Sequence, residues 1–394
     1  MADLCYFRSM SSKGSNRSHV LVALRDNGAT TRANLARATG IAPSTITSIV
    51  RELLIEGVVV ESPTGPDVDP RSMGRRGKGL TLNPAAGIVV GVDFGFKHVR
   101  VVLCDLAHNI IASEQRILGD PHGSMDALEI ASKSIDAILT DSNLPKSALL
   151  GAGVALPGPI RHDESDQVLD SAILSGWTGM TSGRISEILG MKVRIDNDAN
   201  LAAVGEKAWG AARGIDNAIV IKFHSGIGCG LIINGAVVRS QGGVGEIGHV
   251  TIDERGPLCR CGKRGCLDSF ASISAIFDAL RPQYGDISLA ELMDLLAKKD
   301  PGATRVVSDA ADLVGTVVAS ACNLLAPQRV VIVGAMTQAG DVISRPIRSS
   351  MERNIAPGAP PEVLLGSLGN LHTALGGVAM ALEQSDWFTH LDQE

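Results

Sequence analysis

The sequence predicts an α/β protein in which a small helical domain precedes a larger body of strands and helices. Between residues 20 and 54 apolar residues recur at helical spacing, whereas from residue 88 onward apolar runs of strand length alternate with helical segments. Hydrophobic residues make up 45% of the 394 residues and aromatic residues only 3%, so the cores must be built from aliphatic side chains. That composition is typical of layered α/β proteins, and the length predicts two or three domains.

The net charge of −6 is unevenly distributed along the chain. Residues 1–80 contain 11 Lys and Arg against 7 Asp and Glu, a net +4, and the remainder contains 25 against 35, a net −10. The amino-terminal part is therefore suited to a polyanion. Neither a secretory signal nor an uncharged apolar run of about 18 residues is present, which predicts a cytoplasmic protein without a membrane partner. Only three of the seven cysteines cluster, which argues against a disulfide framework.

The first predicted domain covers residues 16–84 and follows residues 1–15, which we expect to form a flexible tail. Its second helix can be capped by Thr30 or Thr31, and its third helix opens at residues 41–44. The tight glycine-containing turn between these two helices indicates a helix-turn-helix. Strands follow at residues 58–62 and 79–83, and the loop between them ends in the basic run GRRGK, so the sequence predicts a winged helix.

DNA is the partner that this domain predicts. Small hydroxyl side chains at the start of a recognition helix can approach base edges and phosphates, and basic residues add charge. A small helical domain that binds another protein is the alternative. The predicted DNA contacts are Ser44, Thr45, Thr47, Ser48, Arg51, Arg75, Arg76 and Lys78.

One imidazole and three thiols lie close together in the sequence as His249, Cys259, Cys261 and Cys266. Four ligands of this kind complete a tetrahedral zinc site and leave no open position for an activated water, so the predicted Zn²⁺ is structural. The alternative is a set of buried or redox-active cysteines, although intracellular Cys/His clusters are more often metal sites.

The run GEIGH at 245–249, followed by Cys-x-Cys-Gly-x-x-Gly-Cys-Leu-Asp over 259–268, resembles the signature of the ROK family of sugar kinases and sugar-responsive repressors. The resemblance covers essentially the whole chain. It implies a two-lobed actin-like, sugar-kinase (ribonuclease H-like) ATPase fold over residues 85–394. The implied first lobe is about 85–200 with a final helix at 372–384, and the second is about 201–371 with the zinc loop 249–268. ROK repressors carry an amino-terminal winged helix that the family's kinases generally lack.

The resemblance also implies a sugar site. Its residues are Asn197, Asp198, Glu246, His249 and Asp268. Asp198 matches the catalytic base of the ROK kinases and would be catalytic here only if the chain were a kinase. Family members usually have Glu at the position of Asp268, and the shorter side chain could alter sugar affinity or choice.

The motifs that bind the nucleotide in ROK kinases are only partly kept in this sequence, so the implied nucleotide site is eroded. The matching positions are Asp93, Gly95, Ser225, Gly226, Gly228 and Gly334. Three departures accompany them, because Phe96 stands where kinases have a second glycine, His224 replaces a glycine, and Ala335 lies in a loop that normally has more glycines. Lost glycines remove the close backbone approach that phosphates require.

These observations predict a sugar-responsive DNA-binding regulator, most readily a repressor, rather than an enzyme. Its partners would be operator DNA, a sugar or sugar phosphate, and further copies of the chain in a homodimer or homotetramer. The alternative is an ATP- and Mg²⁺-dependent sugar kinase with an added DNA-binding domain. A third possibility, a DNA-bound scaffold that responds to a phosphocarrier protein, has no sequence feature in its favour.

Overall fold

The computed structural model describes residues 16–62, 79–119, 123–163, 166–169, 176–358 and 360–383. The amino-terminal domain contains α1 (Asn16–Asn27), α2 (Arg32–Thr39), α3 (Pro43–Ile55), β1 (Val59–Ser62) and β2 (Gly79–Leu82). Thr31 caps α2 through the backbone N–H of Asn34, and Gly40 ends the helix with φ 71°, a conformation that glycine adopts without strain. The strands pair antiparallel. The predicted tail and the wing residues Arg75, Arg76 and Lys78 lie outside the described residues.

The first large sheet has the order β5-β4-β3-β6-β9. Its strands are β3 (Ile88–Phe94), β4 (His98–Asp105), β5 (Ile110–Ile117), β6 (Leu149–Leu156) and β9 (Val193–Asn197). Two helices, α4 (Ser124–Asp141) and α5 (Ser182–Leu189), and the short hairpin of β7 (Ile160–Arg161) and β8 (Gln167–Val168) accompany them. β3 and β4 are antiparallel, whereas β3, β6 and β9 are parallel, so their carboxyl ends lie at one edge of the sheet.

The second large sheet has the order β12-β11-β10-β13-β14. It begins after α6 (Asp198–Trp209) with β10 (Ala218–Phe223), β11 (Ile227–Ile233) and β12 (Ala236–Val237), and is completed by β13 (Arg329–Val333) and β14 (Glu362–Leu365). The helices of this part are α7 (Asp268–Ala271), α8 (Ile273–Tyr284), α9 (Leu289–Ala297), α10 (Pro301–Leu325), α11 (Asp341–Asn354) and α12 (His372–Glu383). Among the described residues, no helix is long and apolar enough to cross a membrane.

α6 and α12 lie against each other between the two sheets. Glycines allow the close packing of α12 on both sides. A Cβ on Gly376 would collide with the carbonyl of Leu201 in α6, and a Cβ on Gly153 in β6 would collide with the carbonyl of Gly377. The core of the amino-terminal domain continues onto Val102 of β4 and onto α12, so α12 also supports the helix-turn-helix.

Local signals account for the start of α10 at Pro301, where Pro lies in the first turn and Asp300 is the cap. In α4, Met125 is 52% exposed. Trp177 lies in the core against Phe94, with ring centroids 4.9 Å apart.

The glycine contacts generate a stability prediction. Gly376→Ala is expected to destabilise the protein by about 2 kcal/mol or more, because the added methyl meets rigid helix backbone. The matched control is Gly183→Ala in α5, where the nearest atom would be 3.9 Å away. The control should leave stability unchanged or raise it slightly. Urea unfolding of both variants measures the difference, and equal midpoints would contradict the packing argument.

Candidate functional site

The four Cys and His side chains predicted to bind metal converge in the structure. The ligand atoms of His249, Cys259, Cys261 and Cys266 all lie within 4.8 Å of one another. His249 Nδ1 is 3.7 Å from the Cys259 sulfur, and the sulfurs of Cys261 and Cys266 are 3.6 Å apart. The donor set of three thiols and one imidazole fits a tetrahedral metal ion of the zinc type. A Cys/His cluster able to hold a metal is therefore present.

A cleft of about 240 Å³, part of it open to solvent, lies beside this cluster. Its lining combines a Pro/Gly turn, polar side chains and a glycine-rich loop: Pro159, Ile160, His162, Asn197, Asn200, Ser240, Gly242, Gly243, Val244 and Glu246. The cleft thus opens at the carboxyl edge of β9, where the first sheet meets α6. Ligands commonly bind at such strand ends in open α/β sheets.

Asn197 occupies the junction between β9 and α6. Its side-chain oxygen accepts the backbone N–H of Ala199 at 2.8 Å and caps α6, and its amide nitrogen donates to the carbonyl of Gly158 at 2.9 Å. The residue predicted to hold a sugar hydroxyl is therefore also committed to fixing the strand end and the Pro/Gly turn in place.

Asp196, immediately before it, anchors a network that the sequence reasoning missed. Its carboxylate is fully buried and accepts hydrogen bonds from Arg239 Nε at 2.6 Å, Asn200 Nδ2 at 2.9 Å and His162 Nε2 at 3.2 Å. The other ring nitrogen of His162 lies 3.3 Å from Asp166. Burial disfavours the charged ring, but the hydrogen bonds to Asp166 and Asp196 prevail and raise the pKa of His162 to about 9.

Glu246 and His249 face each other between the cleft and the Cys/His cluster. The Nε2 of His249 lies 3.9 Å from a carboxylate oxygen of Glu246, while its Nδ1 points to Cys259. Burial, with smaller contributions from Asp198 and Asp268, raises the pKa of Glu246 to about 7. His249 can therefore bind metal on one side and present its second nitrogen to the cleft.

Asp268 is engaged within the protein. One carboxylate oxygen accepts the backbone N–H of Ile227 at 2.8 Å, and the other accepts Arg260 Nη2 at 3.0 Å. Because Arg260 lies between Cys259 and Cys261 in the sequence, Asp268 links the segment that carries these cysteines to the loop at 226–228. The resemblance implied a sugar role for Asp268, and in the structure this residue is 7% exposed.

The positions that the resemblance matches to a kinase's nucleotide side are in contact with other groups of the protein. Asp93, expected to place Mg²⁺, accepts Arg100 Nη1 at 3.0 Å and lies 3.3 Å from His98 Nε2. Burial would raise the pKa of Asp93, but Lys222, His98 and Arg100 lower it. The carboxylate that a metal would need is already neutralised by side chains of its own chain.

Side chains also lie against the two loops, around Gly95 and Gly226, that match the phosphate loops of the kinases. The His98 ring lies over Gly95, and Arg260 Nη2 would be 2.7 Å from a Cβ on Gly226. The rings of His98 and His224 face each other with centroids 6.4 Å apart, and the hydroxyl of Ser225 is 3.2 Å from His224 Nδ1.

The remaining two glycines of this side are used for packing. Gly228 abuts Ala199 of α6, and Gly334, with φ 98°, abuts the backbone of Phe223. The Asp93 carboxylate and the glycines of both loops are therefore all in contact with groups of the same chain.

The third helix of the amino-terminal domain presents one polar face. Ser44, Thr47 and Arg51 are exposed at helical spacing, whereas Thr45 and Ser48 are half-buried. The opposite face, with Ile46, Val50 and Leu53, forms the domain core. The exposed face is the one available to a groove of DNA.

Two missed residues had a visible signal. Lys222 is the single charge of an otherwise apolar strand, and Arg100 stands between two valines in β4; a buried charge requires a partner. His162 and Asn200 carried no comparable signal, because their importance depends on Asp196, which the fold brings to them.

Comparisons with known proteins agree with this architecture. The ROK family profile matches residues 89–384, and a winged helix-turn-helix DNA-binding profile matches residues 16–60. The chain belongs to the ROK family.

Three similar proteins illustrate the relationship. The xylose repressor of Bacillus subtilis is 30% identical over 375 residues, 94% of this chain and 96% of that protein. A glucokinase of Halalkalibacterium halodurans is 29% identical over 75% of this chain and 96% of its own. The solved structure of a ROK family transcriptional regulator, a homologue of the Escherichia coli MLC protein, has a TM-score of 0.76 at 24% identity, covering 95% of this chain and 96% of that one.

The His162 network generates a pH prediction. Because the folded-state pKa is about 9 and an unfolded His titrates near 6.5, the network's stabilisation is fully present below pH 6.5 and is lost as the pH rises to 9. We expect the stability of the unaltered protein to fall by up to about 3 kcal/mol more over that window than that of His162→Gln. The neighbouring exposed variant Arg161→Gln should keep the full pH dependence. If urea unfolding gave the same pH dependence of the free energy of unfolding for all three proteins, the network would be contradicted.

Proposed function

We propose that the protein is a sugar-responsive transcriptional repressor that binds operator DNA through its helix-turn-helix. The observation that carries the proposal has two parts. The third helix presents an exposed polar face, and Arg100 of the same chain pairs with Asp93 at the position that the resemblance matches to a kinase's nucleotide side. The DNA contacts would be made by Ser44, Thr45, Thr47, Ser48 and Arg51, together with the basic residues Arg75, Arg76 and Lys78. This role places the protein in the cytoplasm, with the DNA.

The proposed sugar site is the cleft at the start of α6. Carboxylate and amide groups around the cleft suit a polyol, since each hydroxyl of a polyol can both donate and accept. Asn197, Asp198, Glu246 and His249 would contact the sugar, with Asp268 holding the loop behind them. Xylose and glucose appear in the names of the similar proteins, which makes a pentose or hexose the first class to test.

The proposed ion in the Cys/His cluster is Zn²⁺ with a structural role. It would fix the loop that carries Arg260 and Asp268 and would orient His249 towards Glu246. Four protein ligands leave it no catalytic position.

α6 is the proposed route from sugar to DNA. It starts at Asp198 in the site and ends at Trp209, whose indole donates to His108 Nδ1 at 3.0 Å. Arg25 of α1 is close enough to His108 to lower its pKa further, beyond the effect of burial. A shift of α6 on sugar binding would thus reach the amino-terminal domain, and in a dimer it would change the spacing of two recognition helices.

Binding of selected DNA tests the central proposal. Duplexes enriched from a random pool by the full chain would be titrated by fluorescence anisotropy, with and without xylose, glucose and N-acetylglucosamine. We expect one sugar to change the DNA affinity roughly tenfold or more, a coupling of about 1.4 kcal/mol.

The variants Arg51→Ala and Arg305→Ala provide a matched pair, since both arginines are exposed and only Arg51 is on the recognition helix. Arg51→Ala should weaken DNA binding without altering the sugar-induced rise in melting temperature, and Arg305→Ala should change neither. No enrichment of DNA, or equal loss in both variants, would refute the proposal.

Metal analysis tests the zinc assignment. Cys261→Ser, at an exposed ligand position, is expected to lose the zinc and the sugar response together, because the loop behind the cleft is no longer fixed. Cys322→Ala, outside the cluster, should retain one zinc per chain by atomic emission. A metal-free variant with an unchanged sugar response would show that the metal has no such role.

A further inference from the structure

Lys222 is a charged residue in an interior strand. It follows four apolar residues in β10, its side chain is 11% exposed, and its ammonium nitrogen is 2.6 Å from Asp198 Oδ2. Burying an ammonium is unfavourable unless carboxylates compensate. Here Asp198 and Asp93 both attract the charge and outweigh burial, so the pKa of Lys222 is raised.

The ammonium joins elements that belong to different layers. Lys222 is part of the second sheet, Asp198 is the first residue of α6, and Asp93 lies near the end of β3 in the first sheet. A cation between two carboxylates of facing elements is the arrangement in which proteins otherwise hold a divalent metal.

We propose that Lys222 is a positioning residue of the effector site, whose ammonium replaces a metal cation between the sheets and holds the Asp198 carboxylate towards the sugar as a hydroxyl acceptor. The inference rests on the proposed sugar site. It has a specific consequence: the sugar binds without Mg²⁺ or nucleotide, because the cation that orders the site is part of the chain.

Glu246 is a like charge near Asp198, and burial together with Asp198 raises its pKa to about 7, so it offers Asp198 no cation. Arg100 pairs with Asp93, and His98 lies beside the same carboxylate. Burial lowers the pKa of His224 to about 4 and that of His372 to about 3, so neither imidazole supplies a competing cation near neutral pH. The ion pair with Lys222 is therefore the contact through which Asp198 is oriented.

A double-mutant cycle tests the inference. Sugar affinity would be measured by calorimetry for the full chain, Lys222→Met, Asp198→Asn and the double variant, with the exposed Lys192→Met as control. Lys222→Met should bind sugar roughly tenfold or more weakly. The double variant should bind no more weakly than Asp198→Asn, because Lys222 acts through Asp198. The control should match the unaltered protein.

A second variant and a second titration complete the test. If Lys222→Met does not fold, Lys222→Gln replaces it, and the unaltered chain is titrated with sugar with and without millimolar Mg²⁺, which should leave the affinity unchanged. Additive effects of the two substitutions, or a tenfold gain in affinity with Mg²⁺, would overturn the inference alone. No sugar binding by the unaltered chain would overturn the proposed function and this inference together.

Discussion

Two ion pairs that are largely shielded from solvent, one within the first sheet and one between the second sheet and α6, constrain the rest of this structure. Arg100 pairs with Asp93 and Lys222 with Asp198, and each carboxylate stands where the resemblance to kinases requires a metal or a catalytic base. Once such charges are out of water, removing one partner leaves the other uncompensated, so the pairs are hard to displace. The ROK fold is thus combined with carboxylates that are paired to cations of the same chain.

The sugar side depends on the same principle at Asp196. This fully buried carboxylate is satisfied by Arg239 from beyond β12, by Asn200 from α6 and by His162 from beyond β7. Its partners come from three parts of the chain, so the cleft has its shape only when all three are in place. The start of α6 belongs to both regions. Asn200 of this helix bonds Asp196 beside the cleft, and Asp198, its first residue, pairs with Lys222.

The sequence was most informative where chemistry is local. The four positions of the Cys/His cluster could be predicted from spacing alone, and short-range backbone rules narrowed the cap of α2 to Thr30 or Thr31, of which the structure uses Thr31. The ROK resemblance supplied the two-lobed fold that periodicity could not. Elements with weak local signals were missed, among them β5 on an exposed edge and α11 with its interior Pro346.

The missed site residues have a common physical reason. His162, Arg239 and Lys222 matter through carboxylates that are distant in sequence, and only the folded chain shows which charge meets which. Asn197 and Asp268 show the reverse case, since the ROK resemblance implied a sugar role for them while the structure gives their side chains internal hydrogen bonds as well. Spacing identifies the groups of a site, and packing decides which of their atoms remain available.

The most direct test of this account is calorimetric titration of the zinc-loaded chain with Mg²⁺ and a non-hydrolysable ATP analogue, with and without saturating sugar. The account predicts no binding of the nucleotide up to millimolar concentration, because Arg100, His98 and Arg260 occupy its place. Micromolar binding, accompanied by ADP release when ATP and sugar are supplied and lost in Asp198→Asn, would contradict it and make the protein a kinase.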